Sequence, residues 1–254
     1  MIIFYKLFNI VKTLSSKFLF LVFKHKLCDN IRYMQTIILP SLLAADFGQL
    51  TNEILRAENA GADAIHLDIM DGTFVPNISF GPAIVKLCKK TTTLPLNVHL
   101  MLSRPDLFIE PFANAGATTI QIHVESSCNI KQTLQHIRSL GVSPALVLNP
   151  LTPHTAVIPY LELVDEIMYM TVFPGYGGQK FKPEPLPEIR KLRDYANANG
   201  FDKLNIMVDG GVDRNTISQC AQAGANEFVA GTALFSQQDM AAEITLFRQL
   251  IEQK

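Results

Sequence analysis

Two histidines and two aspartates in this chain have the residue types and spacing of a divalent-cation site that also transfers protons. His66 and Asp68 lie two residues apart in one predicted strand, and His99 and Asp209 lie near the ends of two others. Side chains alternate faces along a strand, so His66 and Asp68 point to the same side. If the three strands line one barrel, the four side chains converge. The two carboxylates are then suited to removing a proton next to a carbonyl group.

Each histidine taken alone is more often a buried polar group with a hydrogen-bond partner than a metal ligand. The combination of four such residues changes this balance, because buried polar and charged groups in an apolar barrel need a partner. Two nitrogen and two oxygen ligands predict one divalent ion per chain, with zinc favoured and iron, manganese or cobalt as alternatives. His123 ends the fourth strand and is a weaker candidate, and His25, His136 and His154 are interpreted as surface or helix residues.

Glycines follow three successive predicted strands near the end of the chain and predict a phosphate-binding site. One glycine-rich loop is weak evidence, since it can be only a turn. Glycines after three strands are stronger evidence, because barrels commonly bind phosphate with backbone N–H groups of their last loops and a helix N-terminus. The loop at residues 174–182 is also long enough to close over a ligand. The residues are Gly175, Gly177 and Gly178 after strand six, Gly210 and Gly211 after strand seven, and Gly231 and Thr232 after strand eight.

Three methionines, Met70, Met101 and Met170, fall near the ends of predicted strands. Methionine commonly fills irregular gaps in an apolar core. Methionines around one barrel mouth would instead form an apolar lining over a bound substrate. The sequence favours neither interpretation.

Apolar strand-like runs alternate with helical patterns eight times from residue 35 onward, which predicts a single-domain α/β fold, a (β/α)8 TIM barrel of the phosphate-binding type. An open doubly wound sheet is the alternative, but the first strand lacks the glycine-rich turn typical of that fold. The predicted strands are 37–42, 64–70, 94–101, 118–124, 145–149, 166–172, 204–209 and 227–231. The predicted helices are 48–60, 81–90, 105–115, 130–140, 153–163, 185–199, 214–223 and 239–253.

Length and composition indicate one core-rich domain and argue against several classes of protein. The 254 residues are 48% hydrophobic and 18% charged, and the net charge of −1 gives no basic excess for binding nucleic acid. Cys28, Cys88, Cys128 and Cys220 form no CxxC pair, so we expect reduced thiols and a cytoplasmic location. The sequence contains no apolar run as long as a membrane span, and we expect no membrane partner for the barrel.

Residues 1–33 differ in composition from the rest and are treated apart from the catalytic barrel domain at residues 34–254. Six basic residues stand against one acidic residue, and the segment contains an apolar run at residues 18–23. Three interpretations compete: a targeting peptide, an amphipathic helix on a membrane surface, or translated sequence upstream of a start at Met34. We favour the third, because Met34 lies just before the first strand and no small-residue cleavage site follows the apolar run.

At five places the sequence resembles the ribulose-phosphate 3-epimerase family, and the resemblance extends from about residue 37 to the C-terminus. The similar strings are at residues 40–47, 66–72, 97–101, 174–179 and 208–211. The resemblance implies a phosphate-binding (β/α)8 barrel of the pentose phosphate pathway. Such an enzyme uses a divalent metal to interconvert the sugar phosphates D-ribulose 5-phosphate and D-xylulose 5-phosphate. We also expect a homo-oligomer.

The resemblance implies roles for individual residues of this sequence. The implied metal ligands are His66, Asp68, His99 and Asp209, and the implied acid/base pair is Asp68 and Asp209. Ser41 would touch the substrate near the reacting centre. The residues expected around the phosphate are Gly177, Gly178, Gly211, Gly231 and Thr232. The expected substrate contacts further include His99, Asp209, Gly175, Gly210 and the three methionines.

This chain departs from the family pattern at three positions. Phe173 stands where many members have a polar residue, Tyr176 replaces a usual phenylalanine, and Thr232 replaces a usual serine but keeps the hydroxyl. None of these changes removes an implied metal ligand or acid/base group.

Three other functions compete with this interpretation. Another ketose-phosphate 3-epimerase, such as one acting on allulose 6-phosphate, would share every motif and differ in pocket length. A catalytically silent sugar-phosphate-binding barrel would not need the matched pair Asp68 and Asp209. A membrane-surface role carried by residues 1–33 would be detected by lipid co-sedimentation with and without that segment.

Overall fold

The structure, a computed structural model that describes residues 35–253, contains one sheet of eight parallel strands. The strands pair in the order β1-β8-β7-β6-β5-β4-β3-β2, and a parallel bridge between Ser41 and His66 joins β1 to β2. The predicted barrel and its eight strands are thereby confirmed. The strands are β1 Ile37–Pro40, β2 Ile65–Met70, β3 Leu96–Met101, β4 Thr119–His123, β5 Ser143–Leu148, β6 Glu166–Met170, β7 Asn205–Asp209 and β8 Glu227–Ala230.

Helices separate the strands along the chain, and most begin and end close to the predicted positions. Glycines in the left-handed conformation end two of them, with φ of 112° at Gly116 and 115° at Gly224. The α-helices are α1 Leu50–Asn59, α2 Pro82–Thr91, α3 Ile109–Ala115, α4 Ile130–Ser139, α5 Leu186–Ala198, α6 Ile217–Ala223, α7 Thr232–Phe235 and α8 Met240–Glu252. The short α7 was not among the predicted helices.

The segment between β5 and β6 differs from the predicted α-helix at residues 153–163. It forms two 3₁₀ helices, His154–Ala156 and Ile158–Leu163. Pro159 lies in the middle of this segment and has no N–H to donate, so a continuous α-helix would lose a hydrogen bond there. The first turn of another predicted helix is likewise 3₁₀, at Pro105–Leu107, and α3 begins at Ile109.

Two apolar layers hold the barrel together. Side chains on the outer face of the strands, such as Leu67 and Ile69 of β2, belong to the large cluster that also contains the helices' buried residues. Side chains on the inner face form a smaller cluster that includes Met168 and Met207. Because the residues of a strand alternate between these layers, the same alternation points His66 and Asp68 inward.

Strand register brings the predicted site residues to one level of the barrel. Asp68 of β2 lies opposite His99 of β3, and Asp209 of β7 lies opposite Met170 of β6. These residues lie near the carboxyl ends of their strands, where the connecting loops surround the barrel mouth. Within residues 35–253, no helix combines the length and apolar character needed to cross a bilayer. Residues 1–33, for which the sequence favours an upstream-start interpretation, lie outside the described residues.

Candidate active site

The structure brings the two histidines and two aspartates into one cluster. One ligand atom from each of His66, Asp68, His99 and Asp209 lies within 4.8 Å of the other three. Asp68 is central to the cluster: its Oδ1 lies 3.3 Å from His66 Nε2 and 3.1 Å from His99 Nδ1. Asp209 Oδ2 lies 3.9 Å from His66 Nε2 and 4.0 Å from His99 Nδ1. The cluster therefore offers two nitrogens and two carboxylate oxygens to a single point.

The donor set around His66 suits a cation. Its Nδ1 lies 3.0 Å from Asn97 Oδ1, and the Asn97 amide donates to Glu166 Oε2 at 3.2 Å. Since Asn97 Oδ1 is an acceptor, His66 Nδ1 carries a proton, and Nε2 is the nitrogen whose lone pair can bind a cation once its own proton is displaced. Among residues 35–253, that buried Nε2 has no hydrogen-bond partner. A buried polar atom without a partner is unfavourable, and binding to a cation provides one.

The electrostatics of the cluster favour positive charge at its centre. Burial lowers the pKa of His66, but the carboxylates of Asp68 and Asp209 outweigh burial and raise it to about 9. Burial and the charge of Asp68 raise the pKa of Asp209 to about 7. Burial also acts to raise the pKa of Asp68, but the neighbouring imidazoles of His66 and His99 hold it well below its usual range. The two carboxylates are thus electrostatically unequal.

Ser41 fixes the orientation of Asp68. Its hydroxyl donates to Asp68 Oδ2 at 2.6 Å, while Asp68 Oδ1 faces the two histidines. One carboxylate oxygen therefore accepts from the Ser41 hydroxyl, and the other faces His66 and His99. Ser41 and Asp68 both border the cavity described below.

A cavity of about 690 Å³ opens above the cluster at the barrel mouth. Its wall includes Asp68, Asp209 and the three methionines Met70, Met101 and Met170. Each of these methionines is almost fully buried, and Met70 and Met101 pack together with Val75. The structure thus places all three methionines around the mouth, where they form an apolar lining next to polar groups.

The glycines predicted around a phosphate line the same cavity. The cavity wall includes Gly175, Gly177, Gly178, Gly210, Gly211, Gly231 and Thr232. Gly211 has φ of 64°, and a Cβ there would lie 2.6 Å from the backbone nitrogen of Phe181. A Cβ on Gly178, which has φ of 70°, would lie 3.8 Å from Thr232 Oγ1. These positions require glycine for the backbone conformation, and at Gly211 also for close packing.

His99 lies beneath the cavity and not in its wall, with no exposed surface. Its second nitrogen, Nε2, lies 2.9 Å from Nε2 of His123, and His123 Nδ1 lies 3.2 Å from Glu125 Oε2. Burial lowers the pKa of His99 to about 3 and also lowers the pKa of His123. Sequence reasoning gave His123 a weak claim and did not consider Glu125 or Asn97 as partners. The His-x-Glu spacing at the end of β4 was the available signal.

Besides Thr232 in the cavity wall, the structure places the other two departures from the family pattern, Tyr176 and Phe173. Tyr176 donates from its hydroxyl to Pro76 O at 2.8 Å, and the Asn77 amide donates to Gly175 O at 2.8 Å. These bonds join the loop after β6 to the loop after β2 beside the cavity. Phe173 is 46% exposed, and Lys182 Nζ lies 5.1 Å from its ring centre. Phe173 is not part of the cavity wall.

Comparison with known proteins agrees with the geometry. A sequence model of the Ribulose-phosphate 3 epimerase family matches residues 37–235. The Ribulose-phosphate 3-epimerase of Bacillus subtilis (strain 168) is 44% identical over 211 residues, which are 83% of this chain and 97% of the relative. That of Synechocystis sp. is 46% identical over 210 residues, 82% of this chain and 91% of the relative.

Solved structures show the same fold at low sequence identity. A crystal structure of KGPDC from Streptococcus mutans superposes with a TM-score of 0.67 at 13% identity. The superposition covers 87% of this chain and 98% of that chain. Likeness at this level of identity supports the barrel fold alone.

Proposed function

This chain belongs to the ribulose-phosphate 3-epimerase family, and from that premise we propose that it interconverts D-ribulose 5-phosphate and D-xylulose 5-phosphate by proton transfer between Asp68 and Asp209. The chain is an isomerase that acts on carbohydrates. The observation that carries the proposed mechanism is the position of both carboxylates at one point, facing one cavity.

We propose that His66, Asp68, His99 and Asp209 hold one divalent cation. The unpartnered Nε2 of His66 and the mixed nitrogen and oxygen donor set support zinc, with iron, manganese or cobalt as alternatives. When bound, such a cation supplies Lewis-acid stabilisation for negative charge that develops on the sugar oxygens. The remaining chemistry belongs to side chains of the chain itself.

The two carboxylates move the proton at C3. The ketone at C2 acidifies this proton, and inversion requires removal from one face of the sugar and delivery to the other. Asp68 and Asp209 come from β2 and β7, so they approach the reacting carbon from different strands. In each direction one carboxylate is the base and the other is the acid. Ser41, through its hydrogen bond to Asp68 Oδ2, orients one member of the pair.

The rest of the cavity positions the substrate and limits access of water. Met70, Met101 and Met170 give the reacting end an apolar lining, which strengthens electrostatic interactions there. We place the phosphate against the glycine loops after β6, β7 and β8, together with the first turn of α7, where a Cβ on Gly178 would lie 3.8 Å from Thr232 Oγ1. The substrate is thus held at its phosphate while C3 lies between the carboxylates.

A turnover assay in deuterated water tests the proposal. Each epimer formed from the other should carry solvent deuterium at C3, because the removed proton exchanges on a carboxylate before the opposite face is reprotonated. The same assay with allulose 6-phosphate compares a six-carbon ketose phosphate. Faster turnover of the six-carbon compound would assign the chain to the alternative substrate, and product without deuterium at C3 would contradict the two-carboxylate mechanism.

A further inference from the structure

One hydrogen bond joins two buried imidazoles, His99 of the cluster described above and the neighbouring His123. His99 Nε2 and His123 Nε2 lie 2.9 Å apart, and neither side chain has any exposed surface. Two nitrogens at this distance form a hydrogen bond with one donor and one acceptor, so the shared proton belongs to one ring or to the other. Phe74 packs on the His123 ring at 4.7 Å between ring centres. The direction of this hydrogen bond therefore decides which nitrogen of His99 carries a proton.

The two directions have opposite consequences for the cation cluster. When His99 Nε2 donates to His123, the proton of His99 is on Nε2, and its Nδ1 lone pair faces the cluster. When His123 Nε2 donates to His99, the proton of His99 is on Nδ1, where it points to Asp68 Oδ1 at 3.1 Å. A nitrogen that carries this proton cannot bind a metal ion. Only the first direction makes His99 a ligand.

Glu125 distinguishes the two directions. Its Oε2 lies 3.2 Å from His123 Nδ1. In the first direction His123 Nδ1 carries a proton and donates it to this carboxylate oxygen. In the second direction His123 Nδ1 is a lone pair, and two acceptors face each other at the same distance. The carboxylate therefore favours the first direction. Asp68 Oδ1 opposes it, because in the first direction this oxygen faces the lone pair of His99 Nδ1 at 3.1 Å, and a cation bound in the cluster removes that conflict.

We infer that Glu125, acting through His123, is a positioning residue that holds His99 in the tautomer whose Nδ1 is free to bind the divalent cation. The inference deepens the proposed function and rests on it for the cation. The tautomers are measured separately from the strength of cation binding. Carboxylates commonly orient metal-binding histidines directly, whereas here a second histidine lies between them.

The surroundings of Glu125 make its replacement by glutamine unusually informative. Glu125 Oε1 accepts hydrogen bonds from the backbone N–H of Asn149, at 3.0 Å, and from the Thr152 hydroxyl. A glutamine must keep its carbonyl oxygen toward the Asn149 N–H, so its NH2 group faces His123 Nδ1. That donor favours the second direction. Glu125→Gln should therefore reverse the tautomers, while Glu125→Ala removes the preference without reversing it.

The test uses the full-length chain with Zn²⁺ as the probe and two readouts. The first is the dissociation constant for Zn²⁺, measured by competition with a chelating dye. The second is the tautomer of His99 and His123, measured by ¹⁵N nuclear magnetic resonance of histidine-labelled protein. Glu188→Gln is the matched control, because Glu188 also contacts a histidine, His154, at 2.6 Å, but away from the cavity.

We expect wild type with Zn²⁺ bound to carry its protons on His99 Nε2 and His123 Nδ1. Glu125→Gln should weaken Zn²⁺ binding by about 10- to 100-fold, with Glu125→Ala between it and wild type and Glu188→Gln unchanged. A purely structural role would instead make the glutamine variant closest to wild type, and that order would overturn the inference. Zn²⁺-loaded wild type with the proton of His123 on Nε2 would overturn it too. Wild type that binds no Zn²⁺ but shows the expected tautomers would contradict the proposed cation and leave the tautomer assignment supported.

Discussion

Both ends of the barrel interior contain a pair of buried or largely buried carboxyl groups, and the charges of the two pairs are neutralised in different ways. At the mouth, Asp68 and Asp209 face two histidines and a cavity. Toward the opposite end, Glu166 and Glu227 begin β6 and β8 and are enclosed by amides. Gln121 and Asn97 donate to Glu166, and Glu227 hydrogen bonds to it as well.

The difference shows which features of a buried acid pair indicate chemistry. Burial and the neighbouring Glu166 raise the pKa of Glu227 well above its usual value, so Glu227 keeps its proton and donates it to Glu166. That pair therefore carries one negative charge instead of two, and the shared proton stays within the pair. The pair at the mouth instead lies beside an unpartnered imidazole nitrogen and open space for a ligand. Buried carboxylates alone therefore do not indicate a reaction site; here the indication comes from the imidazole nitrogen without a partner among the described residues, next to a cavity.

Replacing one acid at each end should give the largest contrast. Asp209→Asn keeps the size of the side chain but removes its acid/base function, and loss of such a group typically costs about 10²- to 10⁴-fold in rate. Both directions of epimerisation should fall together, since each uses both carboxylates. Glu227→Gln should keep the wild-type kcat. Coupled assays in both directions, with metal content verified, measure this contrast.

Asp209→Asn also sharpens the assignment of roles. The variant keeps Asp68, so it should still exchange the C3 proton of one epimer with solvent deuterium while forming almost no second epimer. Nuclear magnetic resonance of the recovered sugar phosphate detects the exchange. Epimerisation by Asp209→Asn at near the wild-type rate would show that proton transfer at the mouth does not need two carboxylates.

A smaller effect is expected at the phosphate end of the mouth. Among the described residues, the nearest atom to a Cβ on Gly177 belongs to Leu43, at 3.9 Å, so Gly177→Ala should be nearly neutral. Gly177→Asp places a negative charge beside the proposed phosphate position. Like charges in contact cost several kcal/mol, and about 1.4 kcal/mol is tenfold, so KM should rise by at least about tenfold. Equal KM values for the two variants would show that the substrate phosphate does not lie beside this loop.

At the opposite end the expected effect is on stability and depends on pH. The folded-state pKa of Glu227 is raised, so wild type loses stability as pH rises above the unfolded value of about 4.5 toward the folded value. Glu227→Gln has no such loss. Its free energy of unfolding relative to wild type should therefore increase with pH, by up to about 1.4 kcal/mol per pH unit. Urea unfolding at about pH 5 and about pH 8 measures it; parallel pH profiles would contradict the shared-proton interpretation.

The smallest effect is expected from shortening the chain. The family match begins at residue 37, and we propose that the barrel domain begins at Met34. A chain that starts at Met34 should fold and keep the catalytic rate of the full-length chain. The comparison requires circular dichroism and kcat for both. An insoluble or inactive shortened chain would show that residues 1–33 belong to the domain.

Sequence patterns were sufficient for the strands and for the residues that share a face. The two-residue period fixes His66 and Asp68 on one side, and parallel pairing then brings His99 beside Asp68. Details that depend on side-chain packing could not be predicted from the sequence. The contact of His99 with His123 depends on the rotamers of two rings on neighbouring strands, and Glu227 at a strand start has the sequence pattern of an exposed residue. Pro159 was visible in the sequence, but the helical pattern of residues 153–163 outweighed it and led to the prediction of an α-helix there.

Chelation and metal restoration test most directly whether the mouth is a cation-assisted acid/base site. The full-length chain is incubated with a strong chelator, its metal content is measured by elemental analysis, and turnover of ribulose 5-phosphate is followed before and after one equivalent of Zn²⁺, Fe²⁺, Mn²⁺ or Co²⁺ is added. The His66, Asp68, His99 and Asp209 cluster predicts that turnover disappears with the metal and returns with one ion per chain. Full turnover in a rigorously metal-free preparation would contradict it.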